Sequence, residues 1–292
     1  MNFYKHMKSK NILQKFVTII LSCLLLGCTI NSFEEEKAFE HVLTQVAFGP
    51  RIPGTIGSSY LQNYLISELS DGGWIVEKQE FIYKNTSINN IIAKNSPSHP
   101  NIILGTHYDT RILSDRDPDP DKRTTPVPGA NDGASGTAIL LELSRHLLKN
   151  DQNIWIVFFD AEDQGNIDGW DWSVGSQYFA ENLTNYPEEV IIIDMVGDKD
   201  LNIYYEINSS TALSQRIWKI ADETGYSEVF IKKEKYSIID DHLPFIDKEI
   251  PAVLIIDIDY EMWHTTQDDV NYVSAESLGK VGNVILKYLR QK

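Results

Sequence analysis

Histidines and carboxylates recur in this chain at the ends of short apolar runs, in a pattern that could hold a metal ion with a general base beside it. His107 and Asp109 follow Ile102-Ile103-Leu104 within Gly105-Thr106-His107-Tyr108-Asp109. Asp132 lies in Gly129-Ala130-Asn131-Asp132-Gly133, ahead of a helical stretch. Asp160, Glu162 and Asp163 follow the run at 154–159. Asp194 and Asp198 follow 190–193, and His264, Asp268 and Asp269 follow 252–256 after a short loop. Oxygen and imidazole donors without a thiolate suit a catalytic metal centre, because structural zinc sites lean on cysteine. Two carboxylates and one histidine leave a position open for water or substrate. Glu162 and Asp163 are adjacent, so both cannot point at one metal from a strand end. One ligates, and its neighbour works as acid or base.

Those residues need a frame that brings them to one rim. Apolar spacing predicts amphipathic helices over 38–47 and 60–69, flanking the turn-rich segment 49–57. Residues 74–83 and 88–93 read as antiparallel strands. Beyond them, short buried strands at 102–104, 154–159, 190–193 and 252–256 alternate with helices at 134–148, 175–182, 213–221 and 275–289. This alternation predicts an α/β fold, a single-domain three-layer α/β/α sandwich with a mixed, mostly parallel central sheet. In such sheets ligands bind at the carboxyl ends of the strands, where the candidate ligands sit.

The 292 residues are 42% apolar and 23% charged, which excludes wholesale disorder. With 42 Asp and Glu against 26 Lys and Arg, the net charge of −16 gives no footprint for nucleic acid. Residues 1–27 run against this balance, with Lys5, Lys8, Lys10 and Lys15 and no acid. Residues 16–26 then carry no charge, too short a run for a span of ~20 residues. A basic start and a short apolar run predict a secretory signal peptide over 1–27. Its end, Leu25-Leu26-Gly27-Cys28, resembles the lipobox of bacterial lipoproteins, which implies cleavage before Cys28 and diacylation of its thiol. Residues 28–36 are then the lipidated cysteine and a polar tether, and 37–292 the catalytic domain. The implied location is the envelope of a bacterium, periplasmic or surface-exposed, with the membrane as partner through the lipid. Cys23 would leave with the signal, so no disulfide and no thiolate catalysis are available.

Together, His107-Tyr108-Asp109, the loop ending at Asp132, the Glu162-Asp163 pair, Asp194 and His264-Thr265 resemble the zinc aminopeptidase-like superfamily. Within it the chain looks most like the metallo-type glutaminyl-peptide cyclotransferases, from Phe48-Gly49-Pro50-Arg51-Ile52-Pro53-Gly54 to the C-terminus. Three features favour that branch. Gly133 follows Asp132 where aminopeptidases usually place a second Asp, Trp263 precedes the candidate metal His264, and Asp240-Asp241-His242-Leu243-Pro244-Phe245 is similar to a cyclotransferase segment. The resemblance implies one zinc held by Asp132, Asp163 and His264. Glu162 would move the proton, Asp194 and Asp240 would hold the amide of an N-terminal glutamine, and the product would be pyroglutamate with release of ammonia. The substrates implied are peptides or proteins with a free N-terminus. Asp163 stands where the family more often has Glu. The aminopeptidase alternative implies two zinc ions, the further one on His107 and Asp194 with Asp132 bridging. A non-catalytic peptide-binding lipoprotein is the remoter alternative.

Trp263, Phe245, Trp170 and Trp172 are candidate walls of the substrate pocket, although Trp170 and Trp172 could equally pack on the sheet. His242 reads as structural, and His41 and His146 as packing or surface residues. Arg51-Ile52-Pro53-Gly54 reads as a rigid turn under the site, and Asp268 and Asp269 as caps of the turn after His264. The Asp- and Pro-rich stretch 115–121 reads as a solvated loop, because its spacing lacks the glycine and closing glutamate of a calcium loop.

Overall fold

The computed structural model describes residues 32–292, and residues Phe33–Lys292 form one compact unit. The expected signal peptide, Cys28 and the first part of the tether lie outside the described residues. Helices α1 (Glu35–Ala47) and α2 (Ile56–Asp71) lead into strands β1 (Ile75–Tyr83), β2 (Thr86–Lys94) and β3 (Ile102–His107). Then follow α3 (Ala134–Leu147), β4 (Ile154–Phe159), α4 (Val174–Glu181), β5 (Glu189–Asp194), β6 (Ile203–Glu206), α5 (Thr211–Thr224) and β7 (Phe230–Tyr236). The short α6 (Leu243–Ile246), β8 (Ala252–Ile256) and α7 (Ala275–Arg290) complete the fold. Among the described residues no helix is long and apolar enough to cross a membrane.

The main sheet runs β1-β2-β4-β3-β5-β8. β1, β2 and β4 pair antiparallel, and β4, β3, β5 and β8 pair parallel, so the expected mixed sheet is present. Strand alternation splits the core between its two faces. Ile102, Leu104, Ile191, Ile193, Val253 and Ile255 pack with helices α1, α2, α3, α5 and α7. Ile103, Val190, Ile192, Leu254 and Ile256 pack on the other face against Phe179 of α4 and Phe245 of α6. Both faces are buried, which is why these strands read as continuous apolar runs.

Local chemistry sets the element ends. Thr55 caps α2 by accepting from the Ser58 amide, and Ser274 caps α7 by accepting from the Ser277 amide at 3.1 Å. The domain begins earlier than the sequence reading placed it. Phe33 is buried against Gly282, where a Cβ would come within 2.4 Å of the ring, and α1 starts at Glu35. Residues 33–36 therefore belong to the domain, not to the tether. The parallel pair β6–β7 escapes the periodicity, because Ile231-Lys232-Lys233-Glu234-Lys235 is charged and mostly exposed.

Candidate metal centre and active site

The carboxyl ends of β3, β4, β5 and β8 converge and carry His107, the Glu162-Asp163 pair, Asp194 and, one loop on, His264. Asp132 arrives from the loop before α3. Here Gly133 has φ +86°, and a Cβ would come within 2.5 Å of the Asp109 carbonyl oxygen. Only glycine fits this turn, so the Gly133 departure noted in sequence has a steric reason. Ala161, Ser173, Met195 and His264 also have positive φ without being glycine. Strained backbone gathers at this rim, as it does where geometry serves function.

Asp132, Asp163 and His264 are buried and offer donor atoms within 4.8 Å of one another. His264 Nε2 lies 2.9 Å from Asp163 Oδ1 and 3.8 Å from Asp132 Oδ2. Asp132 Oδ2, Asp163 Oδ2 and His264 Nε2 make no hydrogen bond, although buried polar atoms are normally satisfied. Three orphaned donors of this chemistry, converging on one point, fit a divalent cation. His107, Asp132 and Asp194 make a second convergent group that shares Asp132. His107 Nε2 lies 2.9 Å from Asp194 Oδ1 and 3.1 Å from Asp132 Oδ1.

The surrounding charge is heavily negative. Burial alone would lower the His107 pKa, but Asp194, Asp109 and Asp132 hold it well above the ordinary imidazole value. Burial likewise opposes the charge on His264, while Asp163, Asp115 and Asp132 raise its pKa to about 9. Burial pushes Glu162 well above the usual carboxylate range, opposed by His107 and reinforced by Asp240, Asp241 and Asp163. Glu162 Oε1 accepts from Ser173 Oγ at 3.2 Å, so the carboxylate is held while it faces the cavity.

That cavity measures about 360 Å³, a volume suited to one side chain and its backbone. Glu162, Asp194 and Asp240 line it together with the ligand set, and Trp172, Trp263, Ile238 and Ile258 supply apolar wall. Trp172 lies parallel to the His264 ring at 6.2 Å, and Trp263 packs on the same ring at 4.2 Å.

Two expectations are corrected. Phe245 is wholly buried between Phe159 and Phe179 and does not reach the pocket, because α6 packs it into the lower core. Trp170 packs edge-on against Tyr83 at 5.2 Å instead of walling the cavity, which only Trp172 of the two reaches. Asp194 bonds His107 Nε2 at 2.9 Å, and Asp240 lines the same cavity beside it.

Arg111 was not singled out in the sequence, and the positioning parts played by Asp109, Asp115 and Asp117 were not read there. Asp109 accepts from the amides of Glu162 (2.9 Å) and Asp163 (3.3 Å) and from Gln164 Nε2 (3.0 Å), fixing the acidic pair. Arg111 donates to the Asp163 carbonyl (2.9 Å) and pairs with Asp115 (2.7 Å), which lies 3.4 Å from His264 Nδ1. Buried Asp117 accepts from Thr266 just beyond His264. The 115–121 loop therefore braces a ligand rather than merely meeting solvent. Its signal was present as Asp at alternate positions, but only the fold shows what those residues face. Asp268 does not cap the His264 turn; it accepts from the amides of Asn131 (2.8 Å) and Asp132 (3.1 Å). Arg51 is buried and donates to the carbonyls of Pro128 and Gly129, so the predicted rigid turn does support the Asp132 loop. His242 is structural as expected, bonded to Glu206 at 3.0 Å.

Residues 90–289 match peptidase family M28. The fold is similar to that of the Porphyromonas gingivalis glutaminyl cyclase, with TM-score 0.84 and 32% identity over 89% of this chain and 99% of that one. A Zn-dependent exopeptidase from Parabacteroides distasonis is similar too, with TM-score 0.84 and 33% identity over 90% and 100% of the two chains. Among sequence relatives, the Drosophila melanogaster glutaminyl-peptide cyclotransferase is 23% identical over 82% of this chain and 77% of its own length.

Proposed function

The chain belongs to peptidase family M28, and from that premise we propose that it is a zinc-dependent glutaminyl-peptide cyclotransferase. It converts the N-terminal glutamine of peptides to pyroglutamate and releases ammonia. The observation that carries this reading is the placement of Glu162, Asp194 and Asp240 around a single aromatic-walled cavity beside the orphaned donors of Asp132, Asp163 and His264. Full-length similarity to a glutaminyl cyclase supports it.

Asp132, Asp163 and His264 would hold one zinc ion, whose chemistry when bound is Lewis-acid polarisation of the γ-carbonyl. The protein's own part is to fold the glutamine, move one proton and exclude water. Trp172, Trp263, Ile238 and Ile258 enclose the side chain, so that its α-amine is held near its own γ-carbon. A bond forms between those two atoms as the bond from the γ-carbon to the amide nitrogen breaks. Glu162 takes a proton from the attacking amine and delivers it to the departing nitrogen, which leaves as ammonia. Ser173 keeps Oε1 fixed through the transfer. Asp240 and Asp194 hold the amide NH₂, and the His107 contact fixes the orientation of Asp194.

The second donor group at His107, Asp132 and Asp194 favours one alternative, a two-metal aminopeptidase of the same family in which Glu162 serves water. Purified protein assayed on a Gln-initiated and a Leu-initiated peptide separates the readings. Ammonia and lactam from the first alone support cyclisation, and cleavage of the second overturns it for the peptidase. Bound zinc without turnover of either would mean a peptide-binding protein. For residues 1–28 the reading stays a lipoprotein signal ending before Cys28, which would tether the enzyme to a bacterial envelope membrane. It is supported by Leu25-Leu26-Gly27-Cys28 and the basic start. Mass spectrometry of the native N-terminus tests it, since an unmodified Cys28 would refute it.

A further inference from the structure

A second cavity of about 410 Å³ adjoins the first, and Ile239 and Asp240 line both. Ile239 is 66% exposed and forms a ridge at the surface between the two spaces, with buried Asp240 beneath it. Ser173, which donates to Glu162, also lines the second space. This ridge gives a peptide whose first residue fills the first cavity a short route for its following residues into the second.

The chemistry of the second cavity is mixed in a specific way. Ala180, Leu243, Pro244 and the Ile239 side chain give it apolar walls, and Glu181 and Asp247 stand at its edge. Both acids are exposed, and neither forms an ion pair among the described residues. Half-buried Lys248 lines the same space, so the three charges sum to one net negative charge. An apolar wall ending in unpaired carboxylates matches a side chain with an aliphatic stem and a cationic head.

We propose that this cavity is a substrate subsite, receiving the second or third residue of the peptide and favouring lysine or arginine there. The inference rests on the cyclotransferase reading and adds specificity beyond the first residue. The stem lies along Leu243 and Pro244, and the cation meets Glu181 and Asp247. Exposed ion pairs are individually weak and Lys248 opposes them, so the two acids together support a preference of about tenfold.

The test compares kcat/KM for Gln-Lys-Ala-Ala and Gln-Ala-Lys-Ala with their Glu-containing counterparts, using the full-length protein and its Glu181→Gln/Asp247→Asn variant. In the wild type the Lys peptide of one register is preferred by about tenfold, carried by KM. In the variant that ratio falls to within about twofold, while the melting temperature matches wild type. A wild-type ratio near one would overturn the subsite. An undiminished ratio in the variant would overturn it as well, assigning the preference to the general field of an acidic protein. Wild-type protein that fails to cyclise Gln-Ala-Ala-Ala would overturn the cyclotransferase reading, and the subsite with it.

Discussion

The His107 imidazole bridges two carboxylates, with Nε2 2.9 Å from Asp194 Oδ1 and 3.1 Å from Asp132 Oδ1. In a one-metal enzyme this ring ties Asp194 to the ligand Asp132, whereas in a two-metal enzyme the same three side chains would hold the second ion. We expect one zinc per chain by elemental analysis, and His107→Ala to retain it while losing turnover as Asp194 is freed. Two zinc ions in the wild type, falling to one in the variant, would identify His107 as a ligand and favour the aminopeptidase.

Glu162 faces the cavity but is no member of either convergent donor group. Glu162→Gln should therefore keep the zinc and lose about 10²- to 10⁴-fold in kcat, the range for a positioned proton carrier. Loss of metal from this variant would show instead that Glu162 ligates. Ser173→Ala should lower kcat by less, because it removes only the hydrogen bond that steadies Oε1.

Metal removal should be visible in stability. Asp132, Asp163 and His264 present three unpartnered buried donors, and an ion that binds only the folded state stabilises by about 4 kcal/mol at a thousandfold excess over its Kd. Thermal melting with a chelator should give a lower Tm that zinc restores. Equal melting curves would argue that the cluster holds no ion.

Arg51 is wholly buried, and its guanidinium caps the carbonyls of Pro128 and Gly129 behind the Asp132 loop. Arg51→Ala leaves both carbonyls unpaired in a void and should cost about 3 kcal/mol or more. Denaturant unfolding measures this. A change under 1 kcal/mol would mean that water replaces the side chain.

His41 supplies a pH effect away from the site. Burial lowers its pKa to about 4 from an unfolded value near 6.5, and its Nδ1 pairs with Tyr64 OH at 2.6 Å. Between those values the unfolded chain binds the proton and the folded one does not, so stability is lost as pH falls. Its contribution is complete above about pH 6.5 and reduced by about 2 kcal/mol at pH 5. The difference in stability between wild type and His41→Gln should shift by that amount over this interval. A pH-independent difference would refute it.

The sequence by itself determined the layered α/β fold, because strands buried on both faces must be continuously apolar and their helices must carry one apolar stripe. The same strands end in His107, Glu162, Asp163 and Asp194, so the rim and its ligand chemistry were legible from residue type and order. Only the tertiary structure decided which carboxylate meets which partner, since those contacts span large separations in sequence. Asp268 reaches back to the Asp132 amide, Asp117 reaches forward to Thr266, and Asp194 bonds His107. It also sorted the aromatics. Trp172 and Trp263 enclose the cavity, while Phe245 and Trp170, alike in composition, pack away from it. A hydrophobic residue declares that it will be buried, but which surface buries it depends on the backbone that carries it.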